Sequence, residues 1–498
     1  MTGELSSAGS EPGTGLAALH QRLTEVLSEL LPAGQRLPAQ TGPDCAELLH
    51  LMVAGLVEQP SRAHVWLLLV ALSATFPVDD EVRTAQRQLE LASVSECCIW
   101  LLEWSYAAAQ RRGSGAHRLQ LVRDGVVVDV DFTAQHDLQT GIQRVVRRLI
   151  PRWERDHDIH LAVWSDHAGA LRVPDDGEQE RVLRWVRPLH RPRPSRGSSV
   201  LVVPWRSTVV LPEVPGPDQC LRLASLAQHS GNRVTAIAYD CIPVLSAELM
   251  PAAEPNRFVR YLSLVKHADV LAGISVSAAE EFRGFVQTLP TQGLTGPRVM
   301  ACPLATDAPA TAAGPLQPAA EPEVLVVGSH EPRKNHLAVL HAAEVLWREG
   351  LRFRLRFVGA GGWTTEAFDR RLEMLQRRGR PTTAERGLDD EQLWAAYRRA
   401  RFTVFPSLHE GYGLPVVESL TLGTPVIATD YGSIAELAAD GGMVVVDPRD
   451  DDALVEAMRS LLVDDERLSQ LRKAAVERPV RSWDAYAREL WQCLVVDR

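Results

Sequence analysis

The chain is short of the features that define several protein classes. It has only seven cysteines in 498 residues (Cys45, Cys97, Cys98, Cys220, Cys241, Cys302 and Cys493). None follows metal-ligand spacing, and the adjacent Cys97 and Cys98 are too tight for an ordinary bridge. A disulfide scaffold and a zinc module are therefore excluded, and a reducing compartment is expected. There is no basic excess: Lys and Arg number 53 against 63 Asp and Glu, giving a formal net charge of −10. That balance argues against nucleic acid as a partner. No apolar run is long enough to cross a bilayer, because the longest, residues 65–78, is interrupted by Ser73, Thr75 and Pro77. The first residues are acidic and polar and lack the basic start and apolar core of a signal peptide. A cytoplasmic protein is expected, with peripheral contact at the inner face of a membrane as the only membrane association left open. What remains is an ordinary globular composition, 45% hydrophobic and 23% charged, at a length that fits two or three domains.

Residues 1–15, rich in Gly, Ser and Glu, are expected to be disordered. Residues 16–112 read as helices throughout: Leu23, Val26, Leu27 and Leu30 recur at helix spacing, as do Leu48, Leu49, Met52 and Val53. This region carries no chemical motif. It is expected to be an accessory domain, dispensable for binding at a site elsewhere, and either a plain cap or a surface for homo-oligomerisation or membrane docking.

Residues 116–307 alternate strands and helices. Two strand-like runs flank Arg123-Asp124-Gly125, which predicts a β-hairpin. Further strands are expected at 161–164, 200–203, 234–238 and 270–274, with helices at 220–228, 256–265 and 278–286. Such alternation implies a doubly wound parallel sheet, with function at the carboxyl ends of its strands. Tyr239 and Asp240 stand at one such end; Asp240 could orient a substrate or cap its loop. Thr140-Gly141 opens a helix whose Ile142, Val145, Val146 and Leu149 face inward. Arg144, Arg147 and Arg148 share its other side, at a cleft or as a solvated basic face. The Pro- and Arg-rich stretch 190–199 is a candidate mobile loop. Residues 308–322, nearly all Ala, Pro, Gly and Thr, predict a linker to a second α/β domain at 323–475.

The chain is organised around 402–446. A strand, Phe402–Phe405, stops at Pro406 and leads to Glu410, Gly411 and Gly413; Pro415 then sits where a helix can start, and Gly423 ends it. A glycine loop running into a helix N-terminus makes an anion site, because free N–H groups and the helix dipole favour phosphate. Glu410 and Glu418 would repel phosphate and suit hydroxyls of a sugar or ribose. Together these features point to a nucleotide-sugar.

The segment HEGYGLPVVESLTLGTPVIA, with Glu410 and Glu418 spaced as E-x7-E, resembles the signature of retaining glycosyltransferases of family four. VLVVGSHEPRKNH upstream and the TGI-R segment at 140–144 extend the likeness over roughly residues 126–498. The resemblance implies a GT-B architecture: two Rossmann-like domains facing across a cleft, the first taking the acceptor and the second the donor. A last helix, within 476–498, would return to the first domain. It also implies a metal-independent hexosyltransferase with no cofactor. The donor would be a nucleoside-diphosphate hexose, with mannose one candidate, and the acceptor a hydroxyl of a glycan or lipid-linked glycan. On this reading Glu410 contacts the donor sugar, Glu418 the ribose, and Arg333 and Lys334 the diphosphate. Gly328, Gly411, Gly413, Leu414, Pro415 and, from the facing domain, Gly141 would line the donor site; Tyr239, Asp240 and Arg144 would lie in the cleft. Two positions depart from the family pattern: Tyr239 stands where many relatives have histidine, and Ser329 where many have arginine. Three other readings are weaker. Asp129 and Asp131 fit the letters of a metal-binding Asp-x-Asp, an epimerase would lack this E-x7-E, and a glycogen-type synthase would show a Lys-Thr-Gly-Gly segment. A non-catalytic nucleotide-sugar or protein-binding module is the remaining alternative.

Overall fold

The structure, a computed structural model, describes residues 12–31, 44–58, 61–112, 115–138, 140–185, 200–307 and 321–497. The expected mobile loop 190–199, nearly all of the linker and residues 1–11 lie outside them. Residues 12–15, expected to be disordered, instead form the first turn of the helix Pro12–Leu30, which proline opens at no hydrogen-bonding cost.

The first sheet holds nine strands: β1 (Arg118–Arg123), β2 (Val126–Asp129), β3 (His160–Trp164), β4 (Leu171–Arg172), β5 (Val200–Trp205), β6 (Thr208–Leu211), β7 (Arg233–Ala238), β8 (Val270–Gly273) and β9 (Arg298–Ala301). Their order is β1-β5-β4-β3-β2-β6-β7-β8-β9. All pairings are parallel except those of β4. The second sheet runs β10 (Glu323–Val327), β11 (Arg354–Val358), β12 (Thr382–Glu385), β13 (Phe402–Phe405), β14 (Val426–Thr429) and β15 (Met443–Val446). It is wholly parallel, in the order β12-β11-β10-β13-β14-β15. Strands such as β8, β13 and β14 are buried at every residue, which is why they read as unbroken apolar runs rather than alternating ones.

The expected hairpin at Arg123-Asp124-Gly125 does not form. β1 pairs with β5 and β2 with β6, both in parallel. Asp124, at φ 50°, and Arg206, at φ 51°, kink the two neighbouring chains side by side. Backbone bonds from Asp124 N to Trp205 O (3.1 Å) and from Thr208 N to Gly125 O (2.9 Å) carry the pairing across the kink. An Asp-Gly pair supplies left-handed backbone equally well to a hairpin or to a step within one strand. The apolar runs on both sides, buried in a parallel sheet, decide for the step.

The helical region is also not separate. Helices Pro12–Leu30, Cys45–Glu58, Arg62–Ser73, Asp79–Leu91 and Val94–Arg112 share one hydrophobic core with a face of the first sheet. Gln21 pairs with the free edge of β1, its Nε2 donating to Leu119 O and its Oε1 accepting from Leu119 N, both at 2.8 Å. The buried Arg22 donates to the carbonyls of Ala71 (2.7 Å), Leu72 (3.3 Å), Gly115 (3.0 Å) and His117 (2.7 Å). At the other end of the chain, the helix Trp483–Trp491 packs on the helix Gly141–Asp156, where Trp153 Nε1 donates to Ala487 O at 3.0 Å. No described helix is long and apolar enough to cross a membrane, and all seven cysteines are free thiols.

Candidate active site

The order of the second sheet reverses direction between β10 and β13. Ligands of open α/β sheets bind at such switch points, beyond the carboxyl ends of the strands. The two loops leaving these strands carry the expected donor residues. After β10 and Gly328, Pro332–Lys334 form a tight turn ended by Asn335 at φ 54°. After β13 come Leu408, His409 and Glu410. Leu408 N donates to Arg333 O at 2.8 Å and Arg333 Nη1 donates to His409 O at 2.6 Å, so the loops are tied together.

Glu410 sits between the two cations, with Lys334 Nζ at 2.6 Å and Arg333 Nη1 at 3.0 Å. Burial alone would raise its pKa. Arg333 and Lys334 outweigh burial and hold it at about 2. Burial lowers the Lys334 ammonium below its ordinary value, an effect Glu410 partly offsets. Arg333 also binds Glu331 at 2.6 Å. Both cations are thus matched by carboxylates and are not standing free for a ligand.

The helix Leu414–Thr421 starts at this loop. Gly413, at φ +99°, is its N-cap, and an added Cβ would lie 2.2 Å from Ile434 Cδ1. Glu418 is buried on this helix and accepts a bond from Tyr397 Oη at 2.9 Å. Its other oxygen forms an ion pair with Arg144 from the first domain, which raises the Arg144 pKa. Gly141, at the start of the same helix as Arg144, faces Leu414. A cavity of about 290 Å³ opens here, lined among others by Arg144, Arg148, Trp185, Asp390, Trp394 and Glu418. Glu418 and Arg144 therefore face this cavity, while Glu410, Arg333 and Lys334 line the loop beyond it.

Gly411 brings the first domain in. An added Cβ would lie 2.7 Å from Tyr239 O and 3.0 Å from Asp240 Oδ2, and Ser275 Oγ donates to Gly411 O at 2.8 Å. Asp240 caps its loop, Oδ1 accepting from Ile242 N at 3.1 Å, and its carboxyl lies against Gly411 of the second domain. Burial raises its pKa to about 6 against the pull of Arg333. The Tyr239 hydroxyl is spent on Pro212 O at 2.8 Å. Arg147 is not on a solvated face: it is buried, donates to Leu138 O (2.7 Å) and His136 O (3.1 Å), and lies 3.4 Å from the Trp185 ring centre. Arg148 is exposed. Asp129 and Asp131 commit their oxygens to the protein, to Trp164 Nε1 (2.8 Å), Trp164 N (2.8 Å) and Gln219 Nε2 (2.9 Å) among others.

Three residues escaped the sequence reading. His409 accepts or donates at both ring nitrogens, to Ser246 Oγ and Glu281 Oε1, each at 2.8 Å. Its place beside Glu410 was the only signal available; Ser246 and Glu281 lie in the other domain and had none.

Residues 310–478 match the family model described as Glycosyl transferases group 1. The match takes in nearly all of the second domain. Among curated proteins the chain is 27% identical over 381 residues to the serotype-specific mannosyltransferase WbdA of Escherichia coli, covering 71% of this chain and 44% of that protein. It is 37% identical over 145 residues to the O-antigen chain mannosyltransferase B of Escherichia coli, covering 28% of this chain and 37% of that one. The chain spans less than half the length of these curated relatives. Sucrose-phosphate synthase from Thermosynechococcus elongatus superposes with a TM-score of 0.52 at 16% identity, covering 74% of this chain and 98% of that one. Anabaena HepE, in complex with UDP and glucose, gives a TM-score of 0.50 at 11% identity, covering 74% and 98%. At these identities the likeness is one of fold, and the chain has the GT-B architecture, with the helical region added to its first domain.

Proposed function

We propose that this chain is a retaining hexosyltransferase of polysaccharide assembly that uses a nucleoside-diphosphate sugar, with mannose the favoured hexose. The observation that carries the reading is Glu410 held by Arg333 and Lys334 at the switch point, with Glu418 facing the 290 Å³ cavity from the helix that follows. The cavity takes the nucleoside, with Glu418 on the ribose hydroxyls once Arg144 lets go. The diphosphate lies across the helix N-terminus toward Arg333 and Lys334, which are neutralised by Glu410 and Glu331 when no ligand is bound and share their remaining donors with it. Arg144, released from Glu418, supplies a further positive charge, so a metal ion is not required. Glu410 receives the sugar hydroxyls. The bond from the anomeric carbon to the phosphate oxygen breaks, and the acceptor oxygen adds on the same face. The acceptor proton passes to the leaving phosphate. Mannose is favoured because two curated relatives are named mannosyltransferases.

A thermal-shift screen against UDP-, GDP-, ADP- and dTDP-hexoses in excess EDTA tests the donor, since a ligand bound only by the folded state raises its melting temperature. One base should stabilise the protein clearly above the others, and Glu418→Gln should abolish the shift. No stabilisation by any donor, with or without manganese, contradicts the reading. Tight binding without turnover in the presence of glycan acceptors would select the non-catalytic module.

A further inference from the structure

His409 joins the two domains. It lies in the loop after β13, yet both of its ring partners belong to the first domain: Glu281 on the helix Val276–Val286, and Ser246 beside the turn Ala247–Leu249. Glu281 is itself anchored, its other oxygen accepting from Cys241 N at 2.6 Å. The second domain grips the same turn again, Trp363 Nε1 donating to Leu249 O at 3.0 Å. The His409 carbonyl is held by Arg333, and the next residue is Glu410. The charged groups facing the ring are Glu281, Asp240 and Arg333.

We propose that His409, with Glu281 and Ser246, is a charged clasp that closes the cleft and fixes the position of Glu410. A neutral imidazole can donate to only one partner. The imidazolium donates to both Glu281 and the Ser246 oxygen, so the protonated ring makes the stronger bridge. Burial works against that charge, but Glu281 outweighs it and raises the His409 pKa above its ordinary value. The sign follows: closure is favoured while His409 is charged and is lost as pH rises through the raised value. His409 is a positioning residue, acting through Glu410, and to that extent the inference rests on the function proposed above.

Small-angle scattering of the ligand-free protein tests the clasp without any substrate. The radius of gyration should grow as pH is raised from the ordinary histidine range into mildly alkaline solution, as the ring discharges. His409→Gln should be expanded at every pH in that range, and Glu281→Gln should open at lower pH than the native protein. In transfer assays, His409→Gln should lower kcat about tenfold, the scale of one charge-assisted bond, with donor KM little changed and the alkaline limb of the pH profile gone. Native-like scattering and an unchanged pH profile in both variants would overturn the clasp. If no nucleotide-sugar is turned over but the scattering follows pH as described, the clasp stands and the proposed function fails.

Discussion

Glu410 and Glu418 lie eight positions apart, yet their surroundings give them different work. Glu410 is ionised at any ordinary pH because two cations face it. Glu418 is held by one hydroxyl and one guanidinium, which in the proposed function give way to ribose hydroxyls. Losing one preorganised polar contact to a transition state costs about a hundredfold in rate. Glu410→Gln should therefore lower kcat by about that factor, and Glu418→Gln should act mainly on donor KM. Steady-state kinetics of the two variants check this; equal effects on both parameters would remove the distinction. Asp240 gives a second test. Burial raises its pKa to about 6, so the folded state prefers it protonated. Its contribution is fully present below the ordinary carboxylate value and is lost as pH rises through about 6. Asp240→Asn should raise the melting temperature at about pH 8 and bring no gain at about pH 4.

At the scale of elements, the strand–loop–helix unit from Phe402 to Thr421 was legible because each part has its own sequence signal. These are an apolar run, a glycine, Gly413, where the backbone turns left-handed, and a proline at the helix start. Asp389 accepts from Gln392 N at 2.8 Å and begins the helix Asp390–Arg399. The hairpin was misread because Asp-Gly marks left-handed backbone without saying which strands it joins. The helical region was misjudged for another reason: periodicity shows that a face is apolar, not what covers it. That face is covered by the first sheet, so cutting the chain at Gly115 should yield insoluble protein and not an independent nucleotide binder. A milder test is Arg22→Met, which leaves the carbonyls of Ala71, Leu72, Gly115 and His117 without their donor. It should cost roughly 3 kcal/mol, since each unsatisfied buried group costs about 1–3. Denaturant unfolding measures this, and a loss below about 1 kcal/mol would show that water replaces the guanidinium.

At the scale of the molecule, two α/β domains could be read from the alternation of strands and helices, and the second-domain side of the candidate site from one motif. The first-domain side could not. Ser246 and Glu281 reach His409 across the two domains, and the Arg144–Glu418 pair joins residues 274 positions apart. The central claim is that this closed cleft transfers a hexose with its anomeric configuration kept. Proton NMR of the earliest glycoside formed from the stabilising nucleotide-sugar and a glycan acceptor reads that configuration directly. The account predicts an anomer identical to that of the donor; an inverted anomer would contradict it.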